Sequence, residues 1–281
     1  MSSLLGNAMP PGTVIVNADD FGYSAIINRA IMTCFSRGLI SSTTIMANMP
    51  GFDEACGMAI AGHLTDRIGV HLNLTDGWPL VPELRGNPAL CDASGRFRRF
   101  RSRLLSKSDR AMIAAEVGAQ IRRCRDAGLP LTHADSHQHV HNEPMVFLAI
   151  QAVLKQPGIR HLRISRNMDS LPVVSPKRIA KSCFNRWIAH HGFRGTDYFG
   201  TVENFEHFRA NDRLATASIE IMTHPSFDQQ GTLIDHIDNL ALADRLTCVF
   251  RDFRLSGYSE RAIYNTCHVV RPDESRLQTA K

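Results

Sequence analysis

The chain has 281 residues, 43% of them apolar and 21% charged, enough to bury one sizeable core and short for two independent ones, so we expect a single domain over residues 1–281. Lys and Arg number 32 against 27 Asp and Glu, a net charge of +5, and no tract concentrates Gly, Pro or polar residues, which excludes a disordered or collagen-like chain. No segment approaches the roughly 18 uninterrupted apolar residues of a membrane span, and mean hydropathy is slightly negative at −0.16.

Taken in chain order, Thr13 to Ala18 (TVIVNA) is a short β-branched run that predicts a strand. Ser24 to Ser36 spaces Ile27, Ala30, Ile31, Cys34 and Phe35 at helical intervals before Gly38. Ser42 to Ala47 reads as a strand, Gly51 to Ala61 as a helix and Ile68 to Leu74 as a third strand. From Asp76 to Ser108 the pattern breaks into Pro, Gly and charged residues, which we read as an insertion near a functional face. Alternation then resumes with a helix over Ala111 to Asp126, a strand over Leu131 to Asp135, a helix over Met145 to Leu154 and a short strand over His161 to Ile164. After a less legible middle, Ala217 to Thr223 reads as a strand and Leu233 to Phe253 as a closing helix, with a further strand over Ala262 to Val270 and a frayed tail after Pro272. Alternating strand and helix implies a parallel sheet, and at least six strands favour a β/α barrel of seven or eight units over a small open sheet.

The N-terminal stretch has no cationic segment before Arg29 and fails the secretory-leader pattern, so we expect a cytoplasmic protein. Seven scattered cysteines without a C-x-x-C pair suit reduced thiols and give no support to a cysteine-ligated zinc site.

Polar clusters fall where the predicted strands end. Asp19-Asp20-Phe21-Gly22 follows the first strand, His71 lies near the end of the third, Asp135 to His141 follows the fourth, and His224-Pro225 follows the late strand ASIEIMT. In parallel α/β architectures these carboxyl ends converge on the ligand-binding face. Alternation in His133-x-Asp135-x-His137-x-His139-x-His141 would put all five on one side of an extended segment. So many polar side chains need partners, and a divalent metal accepts imidazole and carboxylate together. The adjacent acids Asp19 and Asp20 could cap the helix near Ser24; beside these histidines they also allow one carboxylate to bind metal while the other, ionised at neutral pH, accepts a proton from water. Ser136 has no G-x-S-x-G elbow around it, so a serine triad is discounted.

The segments VNADDFGYS, GLISSTTIMAN, GVHLNLTDGWPL, THADSHQHVH and IMTHPS, in this order, resemble the YdjC-like carbohydrate deacetylases, over about Val14 to Phe227. The resemblance implies a distorted parallel β/α barrel of about seven strands and a metal-dependent removal of acetyl groups from N-acetylated sugars. Carried over by position, it makes Asp20, His71 and His137 the metal ligands, Asp19 the general base and His224 the general acid. His139 and His141 compete for that acid role or support His137, Asp135 supports the ligands or contacts substrate, and Trp78 either stacks on a sugar face or packs its own loop. The cofactor implied is one divalent ion, Mg2+ or Zn2+, and the partner a small carbohydrate or glycolipid. Independently of the resemblance, no nucleic acid is expected, and the sequence leaves the oligomeric state open, an apolar barrel rim being compatible with a homodimer.

Between Arg96 and Arg110, RFRRFRSRLLSKSDR holds seven Arg or Lys against one Asp, 7 − 1 = +6, so the rest of the chain carries 5 − 6 = −1. A solvated loop is the plain reading of such a run. The run could otherwise grip nucleic acid, an anionic membrane surface or a phosphorylated substrate, and the alternative functions are a non-catalytic binder of an anionic polymer through this insertion and a metal-dependent hydrolase of a phosphorylated substrate.

Overall fold

A computed structural model describes residues 12–100, 104–155, 159–168, 175–208, 214, 217–249 and 253–259. In chain order these hold β1 (Thr13–Phe21), α1 (Ala25–Ser36), β2 (Ser42–Ile45), α2 (Phe52–Ala61), β3 (Ile68–Leu72), α3 (Lys107–Asp126), β4 (His133–Ser136), α4 (Pro144–Leu154), β5 (His161–Leu162), α5 (Pro176–His190), β6 (Tyr198–Thr201), α6 (Val202–Phe208), β7 (Ser218–Thr223), β8 (Pro225–Phe227), β9 (Leu233–Asp235), β10 (Leu240–Ala241), α7 (Leu242–Val249) and β11 (Arg254–Leu255). Among the described residues no helix is long and apolar enough to cross a membrane.

The main sheet is parallel, in the order β5-β4-β3-β2-β1-β7-β6. β11 joins β1 at Thr13 and Val14, ahead of the point where β2 begins to pair at Asn17. The sequence neighbours β5 and β6 stand at opposite edges, and the sheet curls until they meet: Leu162 N–H donates to the Arg194 carbonyl at 2.9 Å and Asn167 N–H to the Phe199 carbonyl at 3.1 Å. This is the expected parallel β/α barrel, distorted and bridged across one seam by loop hydrogen bonds.

Alternation along each strand divides the sheet. Val14, Val16, Ala18, Ile68, Val70, Leu72, Ala134, Ile219 and Ile221 join the hydrophobic core beneath the helices. The opposite face carries Asn17, Asp19, Ser42, Thr44, His71, His133, Asp135 and Glu220, all buried and hydrogen-bonded to one another or to Arg163. A β/α barrel usually fills its interior with branched aliphatics. This one fills it with a polar network, which is tolerable only because its members supply each other's partners.

Several elements differ from the sequence reading. β1 runs on through both acids to Phe21, and the helix cap is Ser24, whose Oγ accepts the Ile27 N–H at 3.4 Å. The expected closing helix over Leu233 to Phe253 is instead the β9–β10 hairpin followed by α7. Turn chemistry breaks it: Asp235 Oδ1 accepts the Ile237 N–H, Asp238 Oδ1 accepts the Leu240 N–H, and Asn239 takes φ 58°. The illegible middle holds α5, β6 and α6. The expected strand over Ala262 to Val270 and the tail after Pro272 lie outside the described residues.

The described parts of the insertion pack onto the barrel. Leu84, Leu90, Cys91, Phe97 and Leu105 are buried in the core, and Cys91 and Phe97 form an antiparallel bridge. The capping box of Ser106 and Asp109 starts α3 four residues earlier than the apolar periodicity predicts.

Candidate metal centre

Two adjacent acids in a regular strand point to opposite faces. Here β1 bulges between Ala18 and Phe21, and Asp20 takes φ 70°, a left-handed conformation that Asp tolerates. Asp19 and Asp20 consequently both line one cleft of about 820 Å3, together with His71, His137, His139 and His224.

Asp20, His71 and His137 each bring a ligand atom to within 4.8 Å of the others. Asp20 Oδ1 lies 3.2 Å from His71 Nε2 and 3.0 Å from His137 Nδ1. His71 Nδ1 donates to Asp135 Oδ1 at 2.7 Å, which fixes the ring and leaves Nε2 facing Asp20; this is the carboxylate–histidine support common behind metal ligands. Burial would lower the pKa of His71, but Asp135, Asp20 and Asp19 outweigh it and raise it to about 10.

The five-residue alternation does not stay extended. After β4 the chain turns into a 3-10 segment over His137–Asn142, with Gln138 at φ 53° and His139 at φ 55°, so the histidines separate. His137 and His139 line the cleft. His133 points into the barrel interior, where its Nε2 lies 3.1 Å from Asn17 Oδ1 and its ring stacks on Tyr258 at 3.8 Å. His141 is buried, with Nδ1 2.5 Å from Ser136 Oγ and Nε2 3.0 Å from the Arg163 carbonyl. Burial and the nearby Arg163 lower its pKa to about 3. His139 Nδ1 has no hydrogen-bond partner among the described residues, and its ring meets Phe199 edge-on at 5.8 Å.

His224 Nε2 stands 3.8 Å from Asp19 Oδ2 and its Nδ1 stands 3.8 Å from Asp235 Oδ1. Trp78 lies outside the cleft lining, 48% exposed, with the Arg96 guanidinium 4.5 Å over its ring.

The residue that sequence reasoning missed is Arg163, which follows β5 and is 1% exposed. Its guanidinium donates to both oxygens of Asp19 at 2.7 Å and to Glu220 Oε1 at 2.6 Å, and it pairs with Asp135 Oδ2 at 2.6 Å. Burial alone would raise the pKa of Asp19; Arg163 overrides this and holds the carboxyl well below the usual range. A second trio of Asp19, His71 and Asp135 also has metal-ligand spacing, but the guanidinium already lies against two of its carboxylates, and a cation there would face like charge. The available signal for Arg163 is an Arg between the two apolar residues, Leu162 and Ile164, of the short predicted strand HLRI. Tyr23, whose hydroxyl donates to Asp76 Oδ2 at 3.0 Å, is another cleft residue without a sequence signal.

With this geometry in place, the comparisons with known proteins can be read. The model of the family described as YdjC-like protein matches residues 13–256. A carbohydrate deacetylase of Brevibacillus brevis is 36% identical over 220 residues, covering 78% of this chain and 84% of that protein. One of Listeria monocytogenes serotype 4a is 32% identical, covering 76% and 81%, and one of Geobacillus stearothermophilus is 40% identical, covering 56% and 62%. The crystal structure of a "putative cellobiose-phosphate cleavage protein" from Enterococcus faecalis V583 superposes with a TM-score of 0.66 at 22% identity, covering 90% of this chain and 99% of that one, a likeness of fold.

Proposed function

Because the chain belongs to the YdjC-like protein family, we propose that it is a carbohydrate deacetylase, a hydrolase that releases acetate from an N-acetylated sugar such as an N-acetylglucosamine oligosaccharide or glycoconjugate, using a divalent cation held by Asp20, His71 and His137. The observation that carries this reading is the convergence of those three donors beside Asp19 on the floor of one cleft. The name shared by the curated relatives supports the reaction.

The donor set fits a divalent cation on two grounds. Two imidazoles and a carboxylate meet at ligand spacing, and of the four buried acids Asp19, Asp20, Asp135 and Glu220 the Arg163 guanidinium pairs with three, leaving Asp20 to the two imidazoles. A cation held there would offset negative charge and would supply Lewis acidity toward an amide carbonyl and water. Nitrogen donors suit zinc better than magnesium, which prefers an oxygen-rich shell.

The chain's own groups then divide the proton work. Asp19, kept ionised and oriented by Arg163, accepts a proton from the attacking water. His224, across the Asp19 carboxylate, delivers a proton to the departing amine nitrogen, with Asp235 behind its other ring nitrogen. His141 has both ring nitrogens engaged away from the cleft, so it supports the backbone around His137 and does not compete as the acid. His139 lines the wall on the Phe199 side.

The test is acetate release from N-acetylglucosamine oligosaccharides by chelated protein, by protein re-supplied with zinc or magnesium, and by Asp19→Asn. Metal-restored release that Asp19→Asn abolishes is expected. Release that is indifferent to both chelation and the substitution overturns the mechanism, and silence on every N-acetylated sugar with metal bound overturns the substrate class. The polymer-binding and phosphorylated-substrate alternatives have no observation of their own in the site.

A further inference from the structure

The insertion between β3 and α3 presents a face that the deacetylase reading does not use. It is a platform held by its own hydrogen bonds. Asp92 Oδ1 accepts the N–H groups of Ser94 and Arg96, the Phe97 N–H donates to the Gly77 carbonyl at 2.9 Å, and Arg98 Nε donates to the Cys91 carbonyl at 2.8 Å. Of its four large apolar side chains in the basic run, Phe97 and Leu105 turn inward, 5% and 6% exposed. Phe100 and Leu104 turn outward, each 85% exposed.

Cations flank the outward pair in the sequence. Arg96, Arg98, Arg99 and Lys107 are all exposed, the Arg99 guanidinium lies 5.6 Å over the Phe100 ring, and Arg96, 3.5 Å from Asp76 Oδ1, covers half-exposed Trp78. The sequence from 96 to 110 carries seven Arg or Lys against one Asp. Phe97 and Arg99 also line the cleft, as does the outward-facing Ile237, so the patch adjoins the cleft mouth.

We propose that this patch seats the protein, cleft mouth first, on a bilayer surface carrying anionic headgroups. Clusters of four to eight Lys or Arg attract such a surface through its negative potential, while apolar side chains ringed by cations enter the boundary between headgroups and acyl chains. A nucleic acid would use the cations equally well, but an outward aliphatic side chain such as Leu104 meets neither a phosphate nor a base face to advantage. The proposal rests on this surface alone and stands or falls separately from the reaction.

The experiment is co-sedimentation of the full chain with vesicles of phosphatidylcholine and of phosphatidylcholine mixed with phosphatidylglycerol, at low and high salt, with Trp fluorescence followed in parallel. Binding to the mixed vesicles only, weakened by salt and accompanied by a blue shift from Trp78, is expected. The double variant Phe100→Ser/Leu104→Ser should lose about tenfold or more in vesicle affinity, by forfeiting apolar insertion. Because both side chains are outside the core, its melting temperature should not move. The exchange Phe100→Leu/Leu104→Phe should keep binding. No sedimentation with anionic vesicles, binding that the Ser variant leaves intact, or tighter binding to duplex DNA retained by that variant each overturns the proposal, the last in favour of a nucleic-acid surface.

Discussion

Arg163 grips Asp19 through two parallel hydrogen bonds, Nη1 to Oδ2 and Nη2 to Oδ1, both at 2.7 Å, while the same guanidinium holds Asp135 and Glu220. One buried cation therefore orients the proposed base, supports the carboxylate behind His71 and ties β5 to β1, β4 and β7.

Arg163→Met should cost about 3–5 kcal/mol, because it leaves buried carboxylates without their counter-ion. The sign of the pH dependence follows from linkage. Without Arg163, burial is left to push the Asp19 carboxyl above its unfolded value and to push Glu220, already raised by burial, higher still. Such groups add stability at low pH that is lost as pH rises through the folded pKa. The stability gap between variant and wild type should thus widen between about pH 5 and pH 8, measured by urea denaturation at each pH. A gap that stays constant would show that the guanidinium acts by packing alone.

Metal binding should release a proton from His71. In the metal-free protein its pKa is raised to about 10 by Asp135, Asp20 and Asp19 against the opposing effect of burial, so the ring is protonated at neutral pH, whereas a ligand nitrogen must be bare. The logarithm of the zinc association constant should therefore rise by about one per pH unit between roughly pH 6.5 and 8.5 through this ring. Titration calorimetry in buffers of different ionisation enthalpy counts the proton directly. An affinity flat over that range would remove His71 from the ligand set.

His224 and His141 should separate activity from stability. His224→Ala removes a side chain that faces the cleft, and its kcat should fall about 10²–10⁴-fold with little change in melting temperature. His141→Ala takes away the partners of Ser136 Oγ and the Arg163 carbonyl in a buried setting, costing about 1–3 kcal/mol of stability. Equal kinetic losses in the two variants, with no stability change in His141→Ala, would reverse the assignment.

Thiol chemistry offers a check on the buried cysteines. Burial raises Cys34 to about 12 and Cys56 and Cys91 to about 11, and Cys124 is raised further still, so none offers appreciable thiolate near neutral pH. Cys183 is exposed on α5. In the native protein Cys183→Ser should remove one equivalent from the fast phase of an aromatic-disulfide titration, and in a Cys248→Ser/Cys267→Ser background unfolding should release the four thiols buried among the described residues. Fast reaction of Cys124 in the native state would contradict its placement.

The legible part of the fold is the part governed by local period. β-branched runs such as TVIVNA and amphipathic spacing in α1, α2 and α4 placed those elements within a few residues. The convergence of Asp19, Asp20, His71, His137 and His224 was readable because parallel strands present their carboxyl ends together. What escaped was set by backbone conformation and by long-range charge. Nothing in His137-Gln138-His139 announces two consecutive residues at positive φ, so the periodic reading puts all five alternating residues on one side, whereas His133 and His141 turn into the interior and His137 and His139 line the cleft. Arg163 escaped because its importance comes from three acids 28, 57 and 144 residues away, a relation that exists only after folding. The late segment from Leu233 misled because its apolar spacing is helical while Asp235 and Asp238 turn the chain locally.

Gly69 tests whether the polar interior is as tightly specified as its bonds imply. A Cβ at Gly69 would stand 2.5–2.7 Å from three ring atoms of His133, well inside contact distance. The ring has no free direction to move: Thr132 Oγ1 lies 2.9 Å from Nδ1, Asn17 Oδ1 and Ser42 Oγ approach Nε2, and Tyr258 stacks on its face. Gly69→Ala should therefore destabilise the protein by about 1–3 kcal/mol or more, the ordinary cost of overpacking. In Gly69→Ala/His133→Ala the clash is gone, so the two changes should cost less together than the sum of their separate effects, with a coupling of about 0.5–3 kcal/mol. The cycle is measured by denaturant unfolding of the four proteins. Strict additivity would mean that β3 shifts to admit the methyl group, and that the His133 ring is not what keeps residue 69 a glycine.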